Sequence, residues 1–164
     1  MAVDMFLKIE GIDGESTDDK HKKEVEVLSF HWGITQQRSA SASSAGSLSS
    51  QRADFQDFSI VKAIDLASPK LALACADGTH LKSVRLEICR SGGDKQPYME
   101  YKFTDVIITG FKSGGSGHGE VLPLEEVAFG YGKAEWAYTQ TKVEGGKGSG
   151  KVPAGWDLKS NKKV

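Results

Sequence analysis

Runs of Val, Ile, Phe and Tyr only a few residues long recur between clusters of Gly and Ser, and this punctuation most limits what the chain can become. Such a chain buries its apolar side chains on strands. Phe103–Phe111 (FTDVIITGF) and Ala134–Thr141 (AEWAYTQT) carry the β-branched and aromatic residues that suit a pleated surface. Strands are predicted over 4–10, 24–32, 54–64, 81–90, 98–111, 124–131 and 133–143. At 164 residues the chain has the size of one domain, which would bury roughly 70% of the surface its unfolded form exposes. A single mainly β domain over 1–164 is therefore expected.

One segment breaks the pattern. Ser68-Pro69 precedes KLALACA and Asp77-Gly78 follows it, which predicts a helix over 69–77. Ser at the N-cap accepts a backbone N–H, Pro at the first helical position loses no needed donor, and Gly beyond the end tolerates a left-handed conformation. The alternative is a buried strand, against which the flanking caps argue. Leu71, Leu73, Ala74 and Cys75 lie close together around nearly the whole helix, as they would on a helix pressed against a sheet or over a barrel mouth.

In EVEVLSFHWG the alternation runs Val25, Val27 and then shifts phase to Leu28, Phe30, Trp32, so a β-bulge is predicted near Val27–Leu28. With Phe30 and Trp32 turned inward, Ser29 and His31 face solvent or a partner. His31 has two readings, an ordinary solvent-facing or partly packed histidine and a residue lining an internal wall.

The 21 basic and 22 acidic side chains nearly cancel, giving a net charge of −1. No global field draws in nucleic acid or an anionic membrane, so partners should be proteins or small ligands. Asp4 and Lys8 interrupt what would have to be an apolar signal-peptide core, and no run approaches the ~18 apolar residues of a membrane span. No cleavable signal is expected. Cys75 and Cys89 form neither a disulfide framework nor a close metal pair and read as buried thiols.

Motifs that would carry chemistry fail on inspection. GGKGSGKV, at 145–152, ends in Val152 where a phosphate loop needs Ser or Thr, and Pro153, Ala154 and Gly155 do not start a helix. His21, His31, His80 and His118 have no HxxxH or HExxH spacing, and only Cys75 and His80 stand near each other as ligands. Ser116 and His118 in GGSGHGE lack the Gly and the strand-to-helix turn of a nucleophile elbow. Neither an active site nor a metal or cofactor is expected.

The stretch RSASASSAGSLSSQR, at 38–52, holds one sizeable apolar side chain, Leu48, and cannot bury itself. A loop longer than ~12–15 residues in a compact domain is either functional or disordered. Gly-rich loops follow at 91–97 and 113–123, and 144–156 begins a tail whose large aromatic, Trp156, stands in polar company and needs something to dock on.

Taken together, MFLKIEGIDGES with His21 after it, EVEVLSFHWG, KAIDLASPKLALACADGTH, VRLEICR, YKFTDVIITGF and AGWDLKSNKK resemble the hemolysin-coregulated protein (Hcp) family across nearly the whole chain. The resemblance implies a two-sheet β-barrel with one short α-helix and an extended loop over about 38–53. It implies six copies in a ring, and rings stacked into the inner tube of a bacterial type VI secretion system. The implied partners are the contractile sheath, the tip spike protein, the baseplate and secreted effectors carried in the lumen. Export by that machine would need no signal peptide. On this resemblance Ser29 and His31 are candidates for the lumen wall, and Arg38, Leu48 and Arg52 for extended-loop contacts. Ser91, Gly92, Gly93 and Asp94 in the turn, with Trp156, Asp157 and Lys159 in the tail, are candidates for the ring-to-ring contact. Two alternatives stand beside it: a lone β-barrel ligand binder of carbohydrate type, which would collect exposed aromatics, and an enzyme working through Ser116 or His118.

Overall fold

The structure is a computed structural model and describes residues 2–37, 51–93, 95–119, 121–140 and 150–164. Among the described residues eleven strands and one helix run in the order β1 Val3–Ile9, β2 Val25–Glu26, β3 Ser29–His31, β4 Ile34–Thr35, β5 Asp54–Phe55, β6 Phe58–Ala63, α1 Ser68–Asp77, β7 Leu81–Arg90, β8 Pro97–Gly114, β9 Leu124–Thr139, β10 Lys151–Asp157 and β11 Lys162–Lys163. All strand pairs are antiparallel, within a nine-stranded sheet and a two-stranded β4–β5 sheet.

The order β11-β10-β9-β8-β7-β1-β2, with β6 on β9 and β3 on β6, is an open ladder. The covalent chain completes the circuit. Val25 and Glu26 pair with β1, the Val27 amide donates to Met5 O, and then the Leu28 amide donates to Val61 O as the chain crosses to β6. The phase shift read from the sequence is thus a change of partner strand, not the predicted bulge. Leu28 also faces out, 57% exposed, because the chain turns at the crossing before the inward alternation resumes with Phe30.

Gly130 and Gly132 do not interrupt β9, which runs unbroken through the predicted gap between strands at 132. Its length lets it serve two partners on one side, β6 along its first half and β10 along its second, with β8 along the other side. The predicted tail is likewise part of the sheet from Lys151 onward. Of the predicted extended loop at about 38–53, residues 38–50 lie outside the described residues.

The core is aromatic at its centre. Phe58, Phe103 and Phe129 are fully buried, with the Phe58 ring 4.6 Å from Phe103 and 6.0 Å from Phe129. Trp32 and Trp136 sit 5.1 Å apart at its margin, and the Trp32 indole N–H donates to Tyr131 Oη at 2.6 Å. Phe58, Phe103, Phe129 and Trp136 reach the core from strands, and Trp32 from the residue just beyond β3.

Helix α1 begins one residue before the prediction and ends at Gly78, whose φ of +68° supplies the left-handed cap. Ser68 is not the N-cap, a position held by Ala67. Its hydroxyl instead accepts the Asp65 amide at 3.0 Å and donates to Glu125 at 2.7 Å. The helix buries Leu71 and Ala74 but leaves Leu73 63% exposed, so it packs by one side rather than all round. Cys89 is buried as expected, while Cys75, one turn after Leu71, packs against the core but is only half-buried.

Candidate functional site

Register determines which side chains share a surface. His31 pairs with Ser59, Ser59 with Ala128 and Ala128 with Gly110; Ser29 pairs with Val61, Val61 with Glu126 and Glu126 with Lys112. A third row continues through Ala63, Leu124 and Gly114. These positions alternate with the inward Ile60, Phe58, Val127 and Phe129, so the rows form one outward face over β3, β6, β9 and β8. Four strands at roughly 4.8 Å spacing make it about 14 Å across. Six of these eleven positions are Ser, Ala or Gly, and the exposed His31, Lys112, Leu124 and Glu126 stand among them. Sequence reasoning found only Ser29 and His31, both exposed, because the other rows depend on long-range register.

Behind that face lies a buried ion cluster that no sequence signal marked. Lys62 is fully buried, its ammonium 2.7 Å from Glu125, 2.8 Å from Asp65 and 3.1 Å from Ser68 Oγ. It joins β6, β9 and the start of α1, so the outward face is tied to the helix beneath it.

The two candidate contact tips are both anchored. In the turn after β7, Gly92 at φ +98° and Gly93 at φ +64° adopt backbone that side chains rarely take. Ser91, Gly92 and Gly93 are exposed, and Asp94 lies outside the described residues. Lys95 fastens the turn: its ammonium is 2.6 Å from Asp18, 3.6 Å from Asp4 and 5.9 Å from the centre of the Phe6 ring. The Lys95 contact holds the Asp18 carboxyl below its usual pKa. Phe6 in turn stacks on His21, ring centres 4.3 Å apart. His21 is buried, with Nδ1 2.9 Å from Glu24 and 3.5 Å from Glu87, and Nε2 3.7 Å from Cys89 Sγ. Burial pushes the Cys89 thiol up to about 11.

The tail tip is held differently. Trp156 stacks on Phe55 at 6.5 Å, so this aromatic docks within its own chain. The Asp157 carboxylate accepts the Lys159 and Ser160 amides, and the Leu158 amide donates to Gly132 O at 2.9 Å. The Lys159 ammonium meets Asp105, which also lies 3.4 Å from His80 Nδ1. That Lys159 contact keeps the Asp105 carboxyl below its usual pKa. Asp105 stands at φ +55° in the middle of β8, opposite Gly132, where an added Cβ would come 2.8 Å from Lys159 Cε.

Of the extended-loop candidates, Arg52 donates to Leu158 O at 2.8 Å, while Arg38 and Leu48 lie outside the described residues. Ser116 and His118 share an exposed loop, where the His118 amide donates to Ser116 Oγ at 3.4 Å. Their contact is that of a loop turn, not of a base poised on a nucleophile.

An outward face built across β3, β6, β9 and β8 and two anchored tips on a mainly antiparallel β fold are the geometry that the comparisons with known proteins meet. The profile of the family described as type VI secretion system effector, Hcp, matches residues 6–138. The protein named hcp1 of Pseudomonas aeruginosa is 36% identical over 162 residues, covering 98% of each chain. A solved structure described as a type six secretion system protein superposes with a TM-score of 0.93 at 38% identity, covering 99% of this chain and 100% of the other. Hcp1 from Salmonella typhimurium gives 0.81 at 37% identity, covering all of both chains. This chain belongs to the Hcp family of type VI secretion system proteins.

Proposed function

We propose that this protein is the subunit of a type VI secretion inner tube, assembling as six-membered rings that stack, carry effectors in the lumen and leave the cell with them. The observation that carries the reading is the outward face over β3, β6, β9 and β8, where six of eleven positions are Ser, Ala or Gly. Small outward side chains let a surface slide past varied cargo and hold it weakly, and Ser29 and His31 lie in its first two rows. The sheath, spike and baseplate act on the assembled tube, and its cargo is protein rather than nucleic acid or lipid. Its role is structural, with no catalytic step.

The anchored tips suit ring stacking. The turn at 91–96 enters β8 at Pro97, whereas Asp105, which holds the tail tip, lies further along the same strand. At roughly 3.4 Å per residue the separation reaches about 27 Å, enough to place the tips towards opposite ends of the subunit. Many weak identical contacts around a ring add up to a firm joint.

Light scattering on the purified protein, followed by negative-stain microscopy, tests this. A six-chain mass with ring particles that elongate supports the reading; a monomer at high concentration removes it. Ser91→Trp adds bulk without disturbing the positive-φ glycines, and should leave rings that do not stack. His31→Gln should alter effector retention with the ring intact; loss of the ring would make His31 structural.

A further inference from the structure

Beyond β3 and β6 the same two chain segments continue as a separate ribbon. The ladder ends at His31↔Ser59, and two residues further on the Gln56 amide donates to Gly33 O at 3.0 Å, so Asp57 and Phe58 stand against Trp32 alone. That two-against-one count is a β-bulge, which bends the strands and breaks their register. Past it, β4 and β5 pair as Ile34↔Phe55 and Thr35↔Asp54, in a sheet that shares no ladder with the main one among the described residues. The ribbon runs on through the Gln51 amide, which donates to Gln37 O at 3.4 Å, and the Gln36 side chain, which donates to Gln51 O. Tyr131 braces its root by donating to Gln56 O at 2.6 Å.

A cleft of about 930 Å³ lies between this ribbon and the β10–β11 hairpin, with Ile34, Gln36 and Gln51 on the ribbon side and Pro153, Asn161 and Val164 on the hairpin side. It is bridged where Arg52 donates to Leu158 O at 2.8 Å and where Phe55 stacks on Trp156. The hairpin tip has little ladder of its own. β10 and β11 pair at two positions, the Val164 amide adds a bond to Gly155 O, and the turn at 158–161 includes Asn161 at φ +53°. So short a hairpin at a chain end is marginal without outside support. Leu158 receives that support from two sides, its amide from Gly132 O of the main sheet and its carbonyl from Arg52 of the ribbon.

We propose that the ribbon is a lever for the tail tip: a load on the ribbon beyond the bulge passes through Arg52 and Phe55 and shifts residues 158–161. This rests on the tube reading, in which the tail meets the next ring, and adds how that contact is controlled. The cleft gives the ribbon room to move, and the bulge gives it a place to bend. Coupling between two sites is reciprocal, so loosening the tail also loosens the ribbon.

The test compares full-length wild type, Arg52→Met and Lys159→Ala by amide hydrogen exchange. Arg52→Met keeps most of the stem but donates nothing. It should speed exchange at the Leu158, Lys159 and Ser160 amides about threefold to tenfold, the worth of one hydrogen bond, while amides around Phe103 and Phe129 stay protected. Lys159→Ala cuts the tail's tie to Asp105 of the main sheet and should speed exchange at the Gln56 amide, at the ribbon root, about twofold. Sedimentation of Arg52→Met should show rings of wild-type mass that need more protein than wild type to stack. Unchanged exchange at 158–160 in Arg52→Met, or at Gln56 in Lys159→Ala, overturns the lever and leaves the tube reading standing. Loss of the rings in Arg52→Met overturns it too, because Arg52 would then join subunits rather than hold the tail. Both exchange effects with unaltered stacking keep the lever but overturn its control of stacking. Wild-type protein that never forms rings overturns the tube reading, while the exchange results still decide the lever.

Discussion

Lys62→Met tests whether the buried ion cluster holds the outward face to the helix. Methionine nearly preserves the volume of the lysine stem but removes the ammonium from between Glu125 and Asp65. Glu125 is 2% exposed, so its charge would be left without a cation and out of reach of water. Removing one member of a buried pair costs about 3–5 kcal/mol. In a chain of 164 residues, at roughly 3 °C per kcal/mol, that lowers Tm by about 9–15 °C. The assay is thermal unfolding by circular dichroism at one protein concentration, since self-association adds to apparent stability. Lys62→Met/Glu125→Gln removes the stranded charge while leaving an amide to accept from Ser68, and should recover at least half of the loss. A drop below about 3 °C for the single variant, or a double variant no better than the single, would refute the claim that charge pairing holds this junction. The functional corollary is that Val61 and Ala63, which flank Lys62 on the outward face, are held by a clamp on the opposite side of their strand.

Asp105→Asn keeps a residue that tolerates positive φ but removes the carboxylate facing Lys159 and His80. Hydrogen exchange at the Leu158 amide should accelerate while amides around Phe103 and Phe129 stay protected; equal protection in the variant would show that the tail is held without Asp105. Cys89, with its thiol pushed up to about 11 by burial, should resist alkylation at pH 8 while the half-buried Cys75 reacts. Because the folded state keeps that proton longer than the unfolded chain does, the stability it contributes is present below the ordinary thiol range and is lost as pH rises towards 11. Urea midpoints should therefore fall across that alkaline window by less in Cys89→Ala than in wild type, and an equal fall in both would refute the assignment.

Local residue chemistry carried much of the fold. Alternation of β-branched and aromatic residues located the major strands, and Pro69 and Gly78 marked the helix ends because their backbone restrictions act within one turn. The phase shift at Val27–Leu28 was visible, but its meaning was not: a bulge and a change of partner leave the same mark in a sequence, and only pairing with β1 and then β6 separates them. Lys62 shows the same limit in charge. Its alternation with Phe58 and Ile60 points inward while its ammonium argues for solvent, and the choice rests on Glu125, sixty-three positions away. Ser29 and His31 were legible as an outward pair, but the rest of their face needed the register of β6, β9 and β8. The sequence by itself determined the strand-rich class, the capped helix and the family pattern, since these depend on period, turn chemistry and residue order. Tertiary structure alone decided which charges are buried, which side chains form one face and which sheet edges stay open, because each is a relation between segments far apart in the chain.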